Sequence, residues 1–220
     1  MLNWNSIDTV LLDMDGTLLD LHYDNHFWLN YLPECFAVQH NLPLAEAKDQ
    51  INQKFAEVAG TLNWYSLDYW ERTLGLPIRQ LKARSVNKIK YRADAPHFLE
   101  SLRSAGKQVA LVTNAHPDAL ALKNQHTDLA QRCPLQFSTH EFGYCKEFQE
   151  LWQGLQQRLS FDPARTLFVD DGEHILDSAE RFGIRYTLGI RTPDSQQAEK
   201  VFVTHASVDL FSELPALTEL

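Results

Sequence analysis

Apolar residues recur along this chain in two rhythms. Short apolar runs occur at Val10-Leu11-Leu12, Val109-Ala110-Leu111-Val112, Leu135-Gln136-Phe137-Ser138, Thr166-Leu167-Phe168-Val169 and Ile184-Arg185-Tyr186-Thr187-Leu188. Such runs, rather than strict alternation, are the pattern of strands buried on both faces, as in a parallel sheet. Helical stretches separate them. One runs Pro96–Ser104 with Gly106 in the C-terminal cap position, and another Glu147–Leu159 with Phe148, Leu151, Trp152, Leu155 and Leu159 on one face. A third, Glu173–Phe182, is closed by Gly183, and glycine is the residue that tolerates the left-handed turn at a helix end. Strand–helix alternation predicts an α/β fold, a doubly wound parallel sheet.

From about Leu18 to Arg92 this alternation stops. No strand pattern is visible, and helices are predicted over roughly 24–40, 44–58, 63–74 and 77–88, with Pro43 and Pro77 near helix starts, where proline is tolerated. The expected organisation is an α/β core of residues 1–17 and 91–220 with a helical insertion over 18–90. There is no internal repeat and no low-complexity linker.

The strand ends carry the chemistry. Asp13-Met14-Asp15-Gly16-Thr17 follows the first run and Asp170-Asp171-Gly172 the fourth. Ligands of open α/β sheets bind beyond the carboxyl ends of the strands. Neighbouring carboxylates raise one another's pKa, so each pair implies a metal, a shared proton or a solvated turn. An Asp-Gly turn explains the first pair taken alone, and a helix N-cap explains one acid of the second. Two such clusters are harder to explain without a cation, and Asp13, Asp15 and Asp171 are hard oxygen ligands suited to Mg²⁺. Thr113, followed by Asn114-Ala115-His116-Pro117, places a hydroxyl and backbone N–H groups before a helix, which is either an anion seat or a cap. Lys146 precedes the predicted helix from Glu147, where its charge opposes the helix dipole. A place beside a bound anion accounts for it better than an exposed structural role.

Composition narrows the partners. Twenty basic against 29 acidic residues give a formal charge of −9, the wrong sign for a general nucleic-acid binder. A phosphate site here must be made attractive locally, by a metal, a lysine and backbone N–H groups. Cys35, Cys133 and Cys145 form neither a metal spacing nor a disulfide framework, which suits a reducing, cytoplasmic compartment. No signal peptide and no membrane-spanning run is visible.

In chain order the acid pair, hydroxyl, lysine and second acid pair resemble the four motifs of the haloacid-dehalogenase (HAD) superfamily of phosphohydrolases. The resemblance covers the whole chain: Asp13 to Thr17 match the first motif, Thr113 the second, Lys146 the third, and Asp170 and Asp171 the fourth. It implies a HAD-like, Rossmann-type core with a C1-type cap between the first and second motifs. It further implies that Asp13 attacks phosphorus to form an aspartyl-phosphate, while Asp15 serves as acid and then base. Mg²⁺ is expected at the Asp13 carboxylate, the Asp15 backbone carbonyl and Asp171, with Asp170 direct or one shell out. Gly16, Thr113, Asn114 and Lys146 are expected to hold the phosphate. Dehalogenase members lack an acid at the position of Asp15, so its presence favours phosphoryl transfer. In relatives a proline often precedes the third-motif lysine, where this chain has Cys145.

A narrower similarity, to the bacterial GMP/IMP nucleotidase branch, lies in Thr61–Trp70, Thr113–Pro117 and Thr139–Tyr144. It implies a purine nucleoside monophosphate as substrate. The insertion is rich in aromatics, Phe27, Trp28, Tyr31, Phe36, Trp64, Tyr65, Tyr69 and Trp70. These read either as a purine-stacking surface or as the core of a small helical bundle. Asp20, Asn25, Trp28, Trp64 and His116 are the candidate substrate contacts. The competing readings are a sugar-phosphate phosphatase or phosphomutase on the same core, and a regulator that binds a phosphorylated ligand without turnover.

Overall fold

The computed structural model describes residues 2–217. Six parallel strands form one sheet in the order β3-β2-β1-β4-β5-β6. They are β1 (Thr9–Leu12), β2 (Gln108–Thr113), β3 (Gln136–Ser138), β4 (Thr166–Asp170), β5 (Tyr186–Ile190) and β6 (Ser207–Val208). Strand β1 lies between β2 and β4, with Leu11 level with Ala110 on one side and Phe168 on the other. Because side chains alternate across a strand, Val10, Leu12, Leu111, Leu167 and Val169 enter one core, while Leu11, Ala110, Val112 and Phe168 enter the other. The helix α7 (Ala95–Ser104) covers the first core, and α10 (Gln149–Leu159) and α11 (Glu173–Phe182) cover the second. The fold is thus the three-layer α/β architecture expected from the strand pattern. Strand order reverses between β1 and β4, the switch point at which such sheets open a ligand crevice.

Between β1 and β2 the described chain forms helices joined by turns and loops, with two isolated bridges and no strand. The helices are α1 (His22–His26), α2 (Leu32–His40), α3 (Leu44–Val58), α4 (Leu62–Tyr65), α5 (Leu67–Leu74) and α6 (Ile78–Ala83). They bury a core of their own, including Phe27, Phe36, Ile51, Trp70 and Leu81. The two chain crossings into this layer run side by side: Leu19 pairs antiparallel with Tyr91, and Asp20 N–H donates to Lys90. Arg92 N–H donates to the Leu18 carbonyl at 2.9 Å, and its buried guanidinium donates to the Thr17 carbonyl at 3.1 Å. On the core side, α8 (Pro117–His126) and α9 (Leu129–Arg132) follow β2, and Ala119 of α8 touches the helical layer's core.

Several boundaries differ from expectation for local reasons. The predicted helix over 24–40 begins at His22 and carries a wide turn, Phe27–Tyr31, whose following N–H reaches five residues back. The stretch 63–74 divides at Ser66, whose side chain accepts from the Tyr69 N–H as an N-cap. The stretch 77–88 ends at Ala83 and resumes as a short 3-10 turn, Val86–Lys88. Strand β5 starts at Tyr186 rather than Ile184, because Gly183 takes φ +109° and turns the Ile184 N–H back to the Ala179 carbonyl. Strand β6 is too short to leave a periodicity. No described helix is long and apolar enough to cross a membrane. The three cysteines are free, with Cys133 and Cys145 buried.

The placement of β1 is testable. Leu11 is fully buried between β2 and β4 whereas Val38 on α2 is 84% exposed. Leu11→Ala is expected to lower unfolding stability by about 2–5 kcal/mol, and Val38→Ala to leave it within about 0.5 kcal/mol. Urea titration followed by tryptophan fluorescence measures both, and equal losses would contradict this placement.

Candidate active site

β1 closes at Leu12, yet the Asp13 N–H still donates to the Val169 carbonyl at 2.9 Å. That bond carries Asp13 one step past the strand, beside the acids at the end of β4. Carboxylate oxygens of Asp13, Asp170 and Asp171 all lie within 4.8 Å of one another. Lys146 enters this cluster from the far side, its Nζ 2.6 Å from Asp13 Oδ1 and 2.6 Å from Asp170 Oδ2. The Lys146 side chain is buried, so the ammonium is held by its two partners rather than by water.

The segment that delivers Lys146 differs from the predicted one. Helix α10 starts at Gln149, with Phe148 extended before it. Lys146 therefore lies in the preceding turn, and the expected conflict with the helix dipole does not arise. Three neighbours hold this turn. The Lys146 N–H donates to Asn114 Oδ1 at 2.9 Å, and its carbonyl accepts from Trp152 Nε1 at 3.1 Å and Ser178 Oγ at 2.8 Å. Asn114 Nδ2 in turn donates to Glu147, which also accepts from Tyr65 Oη at 3.0 Å. The Thr113 hydroxyl is buried at the end of β2 and accepts from the Ala115 N–H at 3.1 Å.

Burial pushes the Asp13 carboxyl well above the usual carboxylate range; Lys146 pulls it back and the Asp170, Asp171 and Asp15 charges push it further. Burial likewise raises Asp170, against the pull of Lys146. For Lys146 burial works against the charged form, but the Asp13 and Asp170 charges prevail and raise it. Lys200 adds a further cation, 2.6 Å from Asp171 Oδ2. The cluster of hard oxygen donors remains acidic, which fits a divalent cation such as Mg²⁺. Gly16 explains part of its compactness. Gly16 has φ +85°, and a Cβ there would stand 2.8 Å from Asp171 Cγ and 2.9 Å from Pro193 Cβ.

The Asp15 side chain is not in that cluster. It is ion-paired with Lys123 of α8, and burial, opposed by Lys123, lifts its carboxyl to about 6. Lys123 Nζ also lies 2.6 Å from Asp24 Oδ2, whose Oδ1 takes Lys82 Nζ at 2.8 Å. Burial opposes the charge on Asp24, but Lys123 and Lys82 together hold it well below the usual range.

A cavity of about 390 Å³ opens over these groups, lined by Asp13, Asp15, Thr113, Lys146, Asp170 and Asp171 below and by the helical layer above. Of the predicted substrate contacts, Asn25, Trp28, Trp64 and His116 line it. Asp20 is not among the lining residues: it is buried, and Oδ1 accepts from the N–H groups of His22 at 3.0 Å and Ser195 at 3.1 Å. Asn25 also ties structure, donating to Asp194 Oδ2 at 2.7 Å, and His116 caps α8 through the Asp118 N–H. The aromatics divide. Phe27 and Phe36 are core, Trp70 is buried yet borders the cavity, and Trp28, Phe55, Trp64 and Tyr65 are half-buried along its wall.

Lys82, Lys123, Asp24, Phe55 and Lys200 are cavity residues that the sequence reading missed. Only Lys123 left a signal: it stands four and three residues after Ala119 and Leu120, on the buried face of α8, where an unpaired ammonium is costly.

A family model described as haloacid dehalogenase-like hydrolase matches residues 7–183. The chain is 46% identical over 211 residues to the GMP/IMP nucleotidase YrfG of Escherichia coli (strain K12), covering 96% of this chain and 95% of that protein. The Shigella flexneri protein of the same name matches equally. Among solved structures, a HAD phosphatase from Thermococcus onnurineus superposes with a TM-score of 0.78 at 19% identity, covering 94% of this chain and 95% of the other, a likeness of fold. With acids at the ends of β1 and β4 and a lysine between them, the chain belongs to the haloacid dehalogenase-like hydrolases.

Proposed function

We propose that this protein is a Mg²⁺-dependent phosphomonoesterase that hydrolyses purine nucleoside 5′-monophosphates, GMP and IMP foremost. The observation that carries the chemistry is the buried Asp13–Lys146–Asp170 arrangement at the floor of the cavity. The likeness to GMP/IMP nucleotidases supports the substrate.

Asp13, Asp170 and Asp171 would hold the metal. Asp15, whose side chain is turned to Lys123, would add only its backbone carbonyl. The three carboxylates face two ammonium groups, Lys146 and Lys200, leaving one net negative charge. A divalent cation bound by these carboxylates would reverse that sign and would supply charge neutralisation for the phosphate. The Asp13 carboxylate attacks phosphorus in line; the new O–P bond forms as the bond to the nucleoside oxygen breaks. Asp15, whose carboxyl near 6 lets it carry a proton close to neutrality, gives that proton to the departing alkoxide. As carboxylate it then takes a proton from water, which attacks the aspartyl-phosphate phosphorus and releases inorganic phosphate and free Asp13. Lys146, Thr113 and the N–H groups around Gly16 and Asn114 hold the transferring oxygens, where preorganised donors stabilise developing charge.

The helical layer over 18–90 serves as the cap that selects the leaving group. Trp28, Phe55 and Trp64 offer ring faces or edges to a base above the phosphate site. Free cysteines suit a cytoplasmic setting.

Phosphate release from a panel of GMP, IMP, AMP, pyrimidine nucleotides and sugar phosphates, with Mg²⁺ and with EDTA, tests the reading. Metal-dependent release strongest with GMP and IMP is expected; release chiefly from sugar phosphates would keep the mechanism and overturn the substrate. Asp13→Asn is expected to abolish turnover. In EDTA at pH 8 the same substitution should raise the thermal midpoint, because it removes a charge whose ionisation the fold opposes. The sign follows from the raised pKa: the folded state binds this proton more tightly, so stability falls as pH rises above the unfolded value of about 4. The advantage of Asn should therefore shrink as pH is lowered towards 4, which paired melting curves will show. Base stacking is worth about 1–3 kcal/mol, so Trp64→Ala should raise KM for GMP by about five- to a hundredfold. Its preference for GMP over ribose 5-phosphate should narrow in steady-state assays, and an unchanged preference would remove Trp64 from the base site.

A further inference from the structure

Four buried or nearly buried charges alternate in a chain outside the metal cluster: Lys82, Asp24, Lys123 and Asp15. Their net charge is zero, so Asp15 is compensated without drawing on Lys146 or Lys200. Each oxygen of Asp24 takes a different lysine, Oδ1 at 2.8 Å from Lys82 and Oδ2 at 2.6 Å from Lys123. Such a two-sided grip fixes the Asp24 carboxylate, and the Lys123 ammonium is held between Asp24 Oδ2 and Asp15 Oδ1. Lys82 is itself seated, with Nζ 4.6 Å from the Phe27 ring centre and 4.8 Å from that of Tyr23.

Buried ion pairs contribute little to stability compared with apolar side chains of the same size. Attachment of α8 to the helical layer alone would be served as well by a methionine at position 123. What methionine could not do is hold a carboxylate. We propose that Lys123, clamped by Asp24, is a positioning residue: it holds the Asp15 carboxyl at the leaving-group side of the cavity, apart from the Asp13, Asp170 and Asp171 cluster. Lys123 and Asp24 both border the cavity together with Asp15. This inference rests on the phosphomonoesterase reading above, because it assumes that Asp15 delivers the proton to the leaving alkoxide.

The test compares leaving groups. kcat/KM covers the steps up to departure of the leaving group. GMP must expel an alkoxide, which needs a proton; p-nitrophenyl phosphate expels a stabilised phenolate, which does not. Both carry the same phosphate dianion, so a general loss of positive charge or a distorted site lowers both alike. General acid catalysis contributes about 10²–10⁴-fold, so Lys123→Met should lower kcat/KM for GMP by about 10–100-fold and that for p-nitrophenyl phosphate by less than about threefold. Asp24→Asn removes the clamp while retaining an oxygen for one lysine, and should show the same selective loss to a smaller degree. It serves as the second variant where Lys123→Met does not fold. Equal losses with both substrates in the folded variants, or no loss with either, would overturn the inference while wild-type turnover keeps the phosphomonoesterase reading. Failure of the wild-type protein to release phosphate from either substrate would overturn the reading and the inference with it.

Discussion

The site depends on one contact, the Lys146 ammonium seated between Asp13 and Asp170. Strands β1 and β4 are paired neighbours, so the acids that follow them are forced together by backbone geometry. Parallel strands set the distance, and like charges at that distance repel. Without a cation the carboxylates would be protonated or the loops would part. Lys146 resolves part of this from a third segment, and its turn is pinned by Asn114, Trp152 and Ser178. The lysine thereby ties the end of β2, α10 and α11 to the crevice between β1 and β4.

Much of this was legible in the chain. The apolar runs located five of the six described strands, most clearly β1 and β4, which are buried along their whole length. Asp13, Thr113 and Asp170 were visible because each closes or follows an apolar run, whereas Lys146 was singled out by its place before a helix predicted from Glu147 that begins at Gln149. The place of Asp20 away from the cavity wall was not legible, because a buried carboxylate that accepts from two backbone N–H groups looks, in sequence, like any acid near a motif. Strand β6 left no pattern, since two residues cannot show a period. The Lys82–Asp24–Lys123 chain was illegible for a different reason: its members lie on α6, α1 and α8, and only folding brings them together.

The aromatic residues show where composition stops being informative. Phe27 and Trp28 adjoin in sequence and meet edge to face with ring centres 5.0 Å apart, yet they differ in exposure. Phe27 is fully buried, while Trp28 stands edge-on to Phe55 at the cavity wall. The same helices therefore supply both a packed core and a ring-lined face. No rule of amphipathic period separates these roles, because both faces are apolar; what separates them is the opening above the acids.

In the proposed mechanism two carboxylates only two residues apart take opposite tasks, and their surroundings differ accordingly. Asp13 shares Lys146 with Asp170 and lies in a cluster that remains acidic, a setting that suits a metal beside the proposed nucleophile. Asp15 has Lys123, itself gripped by Asp24 and Lys82, in a set of charges that is already balanced. With Asp15 ionised this set is balanced and offers a divalent cation less to compensate than the acidic cluster does, in keeping with the proton exchange proposed for the Asp15 side chain. The division follows from Gly16 and Met14 as much as from the lysines. Met14 is buried in the core, anchoring the loop, and the left-handed Gly16 turns the chain directly after Asp15. The backbone sends the two carboxylates apart, and the two lysines keep them there.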